Sequence, residues 1–207
     1  MKLFNFIFEV SISDLKQLSL AKTKKEKLLF LKSNFKYLGK GTSRIVFEFD
    51  NETVIKFALN EAGKVQNENE VSTSRNYNHI TTKVYNIGPD FEWIQTEKAR
   101  KAKTADFKKI TGMQIGSFLL LLSQVIDEIT NYKKPHFAFP EDRIRYFNFK
   151  ELQIVKDLEQ LILDNDLIGG DLTKVNSWGV VNRDGKEHLV LIDFGANSQT
   201  YETYYQK

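Results

Sequence analysis

A chain of 207 residues is long enough to bury a substantial core, as one domain or as two small lobes around a cleft. The formal net charge of +3, from 30 basic and 27 acidic side chains of mixed distribution, is too weak to argue for a nucleic-acid partner. The absence of cysteine excludes a disulfide framework, a thiolate metal site and a cysteine nucleophile, and it fits a reducing cytoplasm.

The opening Met1-Lys2-Leu3-Phe4-Asn5-Phe6-Ile7-Phe8 resembles the start of a signal peptide, but Glu9 interrupts it and no small-residue cleavage site follows. It therefore reads as a buried or interface segment. Ser11-Ile12-Ser13-Asp14 offers N-caps for a short helix, and Thr23 to Lys27 leads into Leu28-Leu29-Phe30-Leu31, so residues 1–34 form a helical extension whose lysines make a solvated face. From Phe35 the pattern turns to β. Phe35 to Leu38 is a short strand, Gly39-Lys40-Gly41-Thr42-Ser43-Arg44 a loop, and Ile45 to Phe49 a second strand. After the Asp50-Asn51-Glu52 turn, Thr53 to Ala58 alternates so that Lys56 shares a face with Val54 and Ala58. Asn60 caps a helix running to about Tyr77, with Gly63 its weak point and Glu68 and Glu70 both able to reach back to Lys56. Lys83 to Ile87 and Phe91 to Glu97 are two further strands separated by a Gly88-Pro89-Asp90 turn.

Beyond Glu97 the period becomes helical. Gln114 to Tyr132 carries Ile115, Phe118, Leu119, Leu122, Val125, Ile126 and Ile129 on one face, and Phe149 to Leu167 does the same with Leu152, Val155, Leu158, Leu161 and Ile162. These stripes are core, and the apolar run Phe118 to Leu122 is far too short to span a membrane. Near the end, Gly170-Asp171-Leu172-Thr173 is followed by Asn176, five positions after the Asp. An apolar strand, Leu189-Val190-Leu191-Ile192, then delivers Asp193-Phe194-Gly195. Two carboxylates and an amide converging at the mouth of a short hairpin suit phosphoryl transfer: one carboxylate orients a hydroxyl, while hard oxygen donors hold magnesium on phosphates.

The order of the parts is more telling than any part. A Gly-rich hairpin, a strand lysine, a helix glutamate, an edge strand, helices, Asp with Asn five on, then Asp-Phe-Gly is the order of the protein kinase fold. The chain resembles small protein-kinase-like ATP-binding proteins of the short type encoded by bacteria and phages. In these a Gly-x-Gly-Thr/Ser-Ser-Arg loop recurs with a Gly-Asp-Leu-Thr, Trp-Gly-Val-Val and Ile-Asp-Phe-Gly block; here the block is Gly170 to Thr173, Trp178 to Val181 and Ile192 to Gly195. The likeness covers roughly Tyr37 to Gly195. It implies an α+β, two-lobed fold: a small antiparallel N-lobe over residues 35–98 and a minimal, mostly helical C-lobe over 99–207, meeting in the charged stretch Lys98 to Lys103. It implies ATP and magnesium as ligands and a cytoplasmic location, in the host cytoplasm for a phage-encoded protein. Backbone amides around Gly39, Gly41, Thr42 and Ser43 would cover phosphates. Lys56 would bind them, held by an acidic residue on the helix, preferably Glu70 with Glu68 still open. Main-chain groups of Thr96, Glu97, Lys98 and Ala99 would read adenine. Asp171 would be the catalytic base, and Asn176 and Asp193 the magnesium ligands.

The departures from that family are as informative. Gly169-Gly170 stands where protein kinases have His-Arg, and a Gly before the Asp is similar to small-molecule phosphotransferases of the aminoglycoside kinase type. Arg44 replaces the third glycine of the phosphate loop, where it could clamp phosphate or form a salt bridge elsewhere. Only Ala196 to Lys207 follow Asp-Phe-Gly, too few for a full activation segment. Two functional readings follow: an ATP- and magnesium-dependent phosphotransferase whose acceptor is itself, a protein or a small molecule, and a pseudokinase-like module that uses the folded cleft to present surfaces to a protein partner. The basic and aromatic residues between Lys98 and Phe149 could bind single strands, but interspersed Glu97, Asp106, Glu141 and Asp142 favour a solvated face. His79, His136 and His188 form no ligand spacing or triad and read as structural.

Overall fold

The computed structural model describes residues 13–206; the segment Met1 to Phe8 and the first residues of the expected N-terminal cap lie outside them. Residues 13–20 are helical, and helix α1 (Lys24–Asn34) starts from a capping box in which Thr23 and Glu26 satisfy each other's end of the first turn. Five strands then pair antiparallel in the order β1-β2-β3-β5-β4: β1 (Lys36–Lys40), β2 (Arg44–Glu48), β3 (Thr53–Ala58), β4 (Val84–Ile87) and β5 (Trp93–Glu97). Helix α2 (Glu61–Tyr77) is inserted between β3 and β4, capped by the Asn60 side chain on the Gly63 amide. Asp50 closes the β2–β3 turn by accepting from the Glu52 and Thr53 amides, an Asx turn that fixes the register pairing Val46 with Lys56.

A second, three-stranded antiparallel sheet, β6 (Arg100–Lys101), β7 (Trp178–Arg183) and β8 (Lys186–Leu191), lies in the other half of the chain. The β7–β8 hairpin turns through Asp184 and Gly185, both at positive φ, which matches the right-handed twist of the strands it joins. Helices α3 (Thr104–Thr111), α4 (Ile115–Asn131), α5 (Pro140–Lys150) and α6 (Gln153–Asn165) pack around it, followed by the short helices α7 (Gly169–Leu172) and α8 (Ser198–Tyr204). The fold is thus α+β.

Two apolar clusters hold it together. Leu18 and Leu31 from the N-terminal helices join Ile45, Phe47, Ile55, Phe57 and Trp93 under the five-stranded sheet. The larger cluster gathers α4 and α6 around Trp178, which meets Phe107 and Phe118 edge-on and donates its indole N–H to the Leu172 carbonyl at 2.8 Å. A core tryptophan thereby anchors the turn that carries Asp171. No single helix among the described residues is long and apolar enough to cross a membrane.

Several expectations are corrected. Gly39 and Lys40 belong to β1 and Arg44 to β2, so only residues 41–43 are loop, because the ladder pairs Lys40 with Ile45. Lys27 is not on a solvated face: it is buried and ion-paired with Glu92. The helix expected over 149–167 is two helices, with Phe149 in α5 and a break at Glu151-Leu152 before α6. The strand expected from Phe91 begins at Trp93, because Pro89–Phe91 forms a 3₁₀ turn. The charged stretch at residues 98–103 is partly strand β6, paired to β7.

Candidate functional site

Strand β3 carries Lys56 on its buried face, and α2 lies across that face close enough to exclude water. Gly63 makes the approach possible: a Cβ there would run into the Ser43 carbonyl and lie 3.1 Å from Ala58 Cα. One and two turns further along the same stripe come Asn67 and Glu70, both fully buried. Glu70 Oε2 is 2.5 Å from Lys56 Nζ, whereas Glu68 is exposed, so Glu70 is the partner of Lys56. Lys56 also donates to the Ile192 carbonyl at 2.7 Å and lies 5.7 Å from the centre of the Phe194 ring. Burial pulls the Lys56 pKa down, and the neighbouring Arg44 adds to this, so Glu70 offsets the lowering without cancelling it.

Arg44 completes a four-membered ionic chain. Its Nη1 is 2.7 Å from Glu70 Oε1 and its Nη2 is 2.7 Å from Asp193 Oδ1. Burial opposes its charge, but the Glu70 and Asp193 carboxylates more than compensate and raise its pKa. Residues from β2, β3, α2 and the end of β8 therefore meet through alternating charges.

The mouth of the β7–β8 hairpin brings the next group together. The Ile192 amide donates to the Ser177 carbonyl at 2.8 Å, beyond the last pair of the ladder, Trp178 with Leu191, so the 3₁₀ turn Val175–Ser177 that holds Asn176 is tied to the residue before Asp193. The Asn176 amide side chain is exposed and makes no hydrogen bond among the described residues; the Asp193 side chain is 67% exposed. Ser177 Oγ donates to the Asp171 carbonyl at 2.7 Å, tying the α7 turn to the same spot. The Asp171 carboxylate is 2.6 Å from Lys174 Nζ, one turn on, and this contact, with a smaller share from Asp193, raises the Lys174 pKa. The segment after Asp193 is held by the segment before Asp171, through Ile168 N–H to Ala196 O and Ser198 N–H to Asp166 O. Gly195 packs against the Gln66 backbone where no Cβ would fit, so the helix bearing Glu70 and the Asp-Phe-Gly segment touch main chain to main chain.

The β1–β2 hairpin forms the third side. Added Cβ atoms at Gly39 would meet nothing within 4 Å and at Gly41 only the Arg44 carbonyl at 3.9 Å, so the glycines leave open space that the fold itself does not use. The Gly41 amide is taken by the Arg44 carbonyl, but the Thr42 and Ser43 amides have no partner among the described residues. The Ser43 hydroxyl is hydrogen-bonded to Tyr205 of the tail, which also accepts from Gln66 Nε2 at 3.0 Å. At the far edge, the Glu97 side chain is occupied by Arg183 and the Lys83 amide, and its own amide donates to Lys83 O. The amide and carbonyl of Ala99 are unpartnered among the described residues, and Gly179 gives them room: a Cβ there would strike Ala99 and Ile192. Of the residues singled out in the sequence, Lys56, Glu70 and Asp193 are joined by direct contacts through Arg44, Asp171 is tied to Ser177 beside Asn176, Ser43 is held by Tyr205, and the Glu97 side chain and amide are engaged elsewhere.

The donor set fits magnesium. Hard cations of this size take one or two carboxylates, an amide oxygen and substrate phosphates rather than an all-protein cage. A groove of about 600 Å³ between α4 and α5, lined by Met113, Gln114, Arg145 and Leu152 among others, lies away from this site and has no buried ionisable group. Of the basic residues from Lys98 to Lys150, four are ion-paired among the described residues: Lys98 with Glu48, Arg100 with Asp106 and Glu187, Lys109 with Glu187, Lys150 with Glu128 and Glu159. Lys174 was not anticipated, although its spacing of three from Asp171 on a helical turn was a readable signal. The chain matches no protein-family model and no curated protein.

Proposed function

We propose that this chain is a protein-kinase-like, ATP- and magnesium-dependent phosphotransferase, with the nucleotide bound between a sheet-based lobe and a mostly helical one. The observation that carries the reading is the fully buried Glu70 holding Lys56 at 2.5 Å, with Lys56 in turn bonded to the carbonyl just before Asp193. A buried lysine pinned between a carboxylate and a strand end has little structural purpose, since an apolar pair of equal volume would stabilise as well. It is well suited to receiving phosphate, because its position is fixed before ligand arrives.

In this reading the Thr42 and Ser43 amides donate to phosphate oxygens across the open space left by Gly39 and Gly41. Lys56 neutralises the phosphates, and the Ala99 amide and carbonyl, beside the backbone of Glu97, read the adenine edge. Asp193 and Asn176 would hold magnesium, which supplies charge neutralisation at the β and γ phosphates. Asp171 orients the acceptor hydroxyl and takes its proton as the oxygen attacks phosphorus and the bond to ADP breaks. Lys174, already beside Asp171, adds positive charge close to the negative charge of the transferring group.

Thermal unfolding with and without ATP and magnesium tests this, because a ligand that binds only the folded state raises its stability by mass action. We expect a rise in Tm that needs both ligands and is lost in Asp193→Asn. An absence of any shift at millimolar ATP would leave the fold as a scaffold for a protein partner.

A further inference from the structure

We infer that Arg44 is an internal counter-cation that occupies Asp193 until nucleotide arrives and then passes to the phosphates, so that metal enters with the nucleotide and not before it; this rests on the nucleotide-site reading above. The guanidinium has two unlike ends. Nη1 faces the fully buried Glu70 at 2.7 Å and the Asn67 amide oxygen at 3.4 Å, and both partners are fixed on α2. Nη2 faces Asp193, whose side chain is mostly in solvent, at 2.7 Å. One end is an anchor and the other an exchangeable contact.

Two facts give the exchangeable end somewhere to go. Arg44 directly follows Thr42 and Ser43 in the chain, whose amides have no partner among the described residues and can take an anion on the same hairpin that carries the guanidinium. Arg44 also presents five fixed donors, and a phosphate is matched by the same fork geometry as a carboxylate. Asp193 Oδ1 already accepts from the guanidinium at 2.7 Å, so a divalent ion that arrives alone meets a fixed positive charge beside its carboxylate, which weakens its binding. Metal alone must therefore compete with Nη2, while Nη1 keeps Glu70. Nucleotide removes that obstacle by offering Nη2 a more highly charged partner. A glycine at this position, by contrast, would leave Asp193 open to metal at all times.

The test measures free Mn²⁺ by its electron paramagnetic resonance signal, with and without the non-hydrolysable analogue adenylyl imidodiphosphate, on wild type and Arg44→Gln. Circular dichroism checks that each is folded. Glu70 keeps Lys56 as its partner in the variant, and Arg44→Lys provides a second variant in which one ammonium cannot span both carboxylates. In wild type, we expect weak Mn²⁺ uptake alone and strong uptake with the analogue. In Arg44→Gln, affinity for Mn²⁺ alone should rise about tenfold, and affinity for the metal-free analogue should fall about tenfold, the size of one charge-assisted contact. Arg44→Lys should move in the same directions. If wild type takes up analogue with Mn²⁺ but neither variant changes Mn²⁺ affinity in the absence of analogue, the counter-cation role is wrong while the nucleotide site stands. If wild type takes up neither, the nucleotide-site reading fails and this inference with it.

Discussion

Glu70 and Lys56 are joined in one ion pair, yet their removal should have very different consequences. Glu70 is fully buried and faces two cations, Lys56 at 2.5 Å and Arg44 at 2.7 Å. Glu70→Ala leaves both in the interior with one shared counter-charge lost, and Lys56 then has only the Ile192 carbonyl. Breaking a buried ionic group from one side costs about 3–5 kcal/mol, because an uncompensated charge stays behind. Lys56→Met instead removes the charge itself. Glu70 keeps Arg44, the methionine fills similar volume, and the lost hydrogen bond to Ile192 costs about 1 kcal/mol. For a chain of 207 residues, each kcal/mol moves Tm by about 2–4 °C, so Glu70→Ala should melt about 6–20 °C below wild type and Lys56→Met only about 2–4 °C below. Glu70→Gln should fall between, since its amide oxygen still accepts from one cation. Thermal unfolding followed by far-ultraviolet circular dichroism, with urea titration as a check on reversibility, reads all three. If Glu70→Ala melts within about 2 °C of wild type, or if Lys56→Met falls further than Glu70→Ala, the ionic chain is not organised as described.

Three further outcomes follow from particular contacts. Asp171→Asn should keep the thermal shift with ATP and magnesium but lose phosphoryl transfer, because the proposed function gives this residue the acceptor and not the phosphates; a transfer rate equal to wild type in a radiolabelled-ATP assay would remove Asp171 from the chemistry. Gly63→Ala should destabilise by about 1–3 kcal/mol despite alanine's better helix propensity, since its Cβ would run into the Ser43 carbonyl, and a stabilised variant in chemical unfolding would show that α2 can shift freely. Asp106 has its pKa lowered from 3.8 to about 2 by the Arg100 guanidinium first and the Lys103 amide after it. A depressed folded pKa adds stability above 3.8 that is lost as pH falls towards about 2, so Asp106→Asn should flatten the acid limb of the Tm curve in that window, and an unchanged limb would refute the assignment.

Much of the site was legible because its parts announce themselves locally. Asn60 ahead of a helical pattern gives the start of α2, and alternation through Thr53 to Ala58 separates Lys56 from Ile55 and Phe57, although β3 is buried on both faces. The choice between Glu68 and Glu70 was hidden by the chemistry of the stripe. Gly63, Asn67, Glu70, Ser74 and Tyr77 recur at helical spacing and are all buried, but only the last is large and apolar, so hydrophobic periodicity does not mark the face. The helices α3 and α5 were missed for related reasons. Lys103 at the start of α3 is no usual cap, and α5 leaves Ile144 and Phe147 exposed, which dilutes its stripe. Gly112 in the left-handed conformation after α3, and Pro140 with Glu141 and Asp142 opening α5, were the signals to use.

Asp193-Phe194-Gly195 shows where local reading ends. The three residues are adjacent, yet each meets a different constraint: Asp193 is mostly exposed, Phe194 is buried in the helical cluster and Gly195 presses against the Gln66 backbone. The apolar strand before them explains why the chain passes from core to surface within three positions. What holds the Asp193 carboxylate is Arg44, 149 residues earlier in the chain, and no spacing rule connects them. That link arises because Arg44 reaches Glu70 and Asn67 on α2 while the Asp-Phe-Gly segment packs on the same helix through Gly195 against Gln66. A substitution at residue 44 therefore alters the environment of Asp193 while leaving the local pattern around Asp193 unchanged, so the state of the proposed metal ligand has to be judged from the whole ionic chain and not from the motif that contains it.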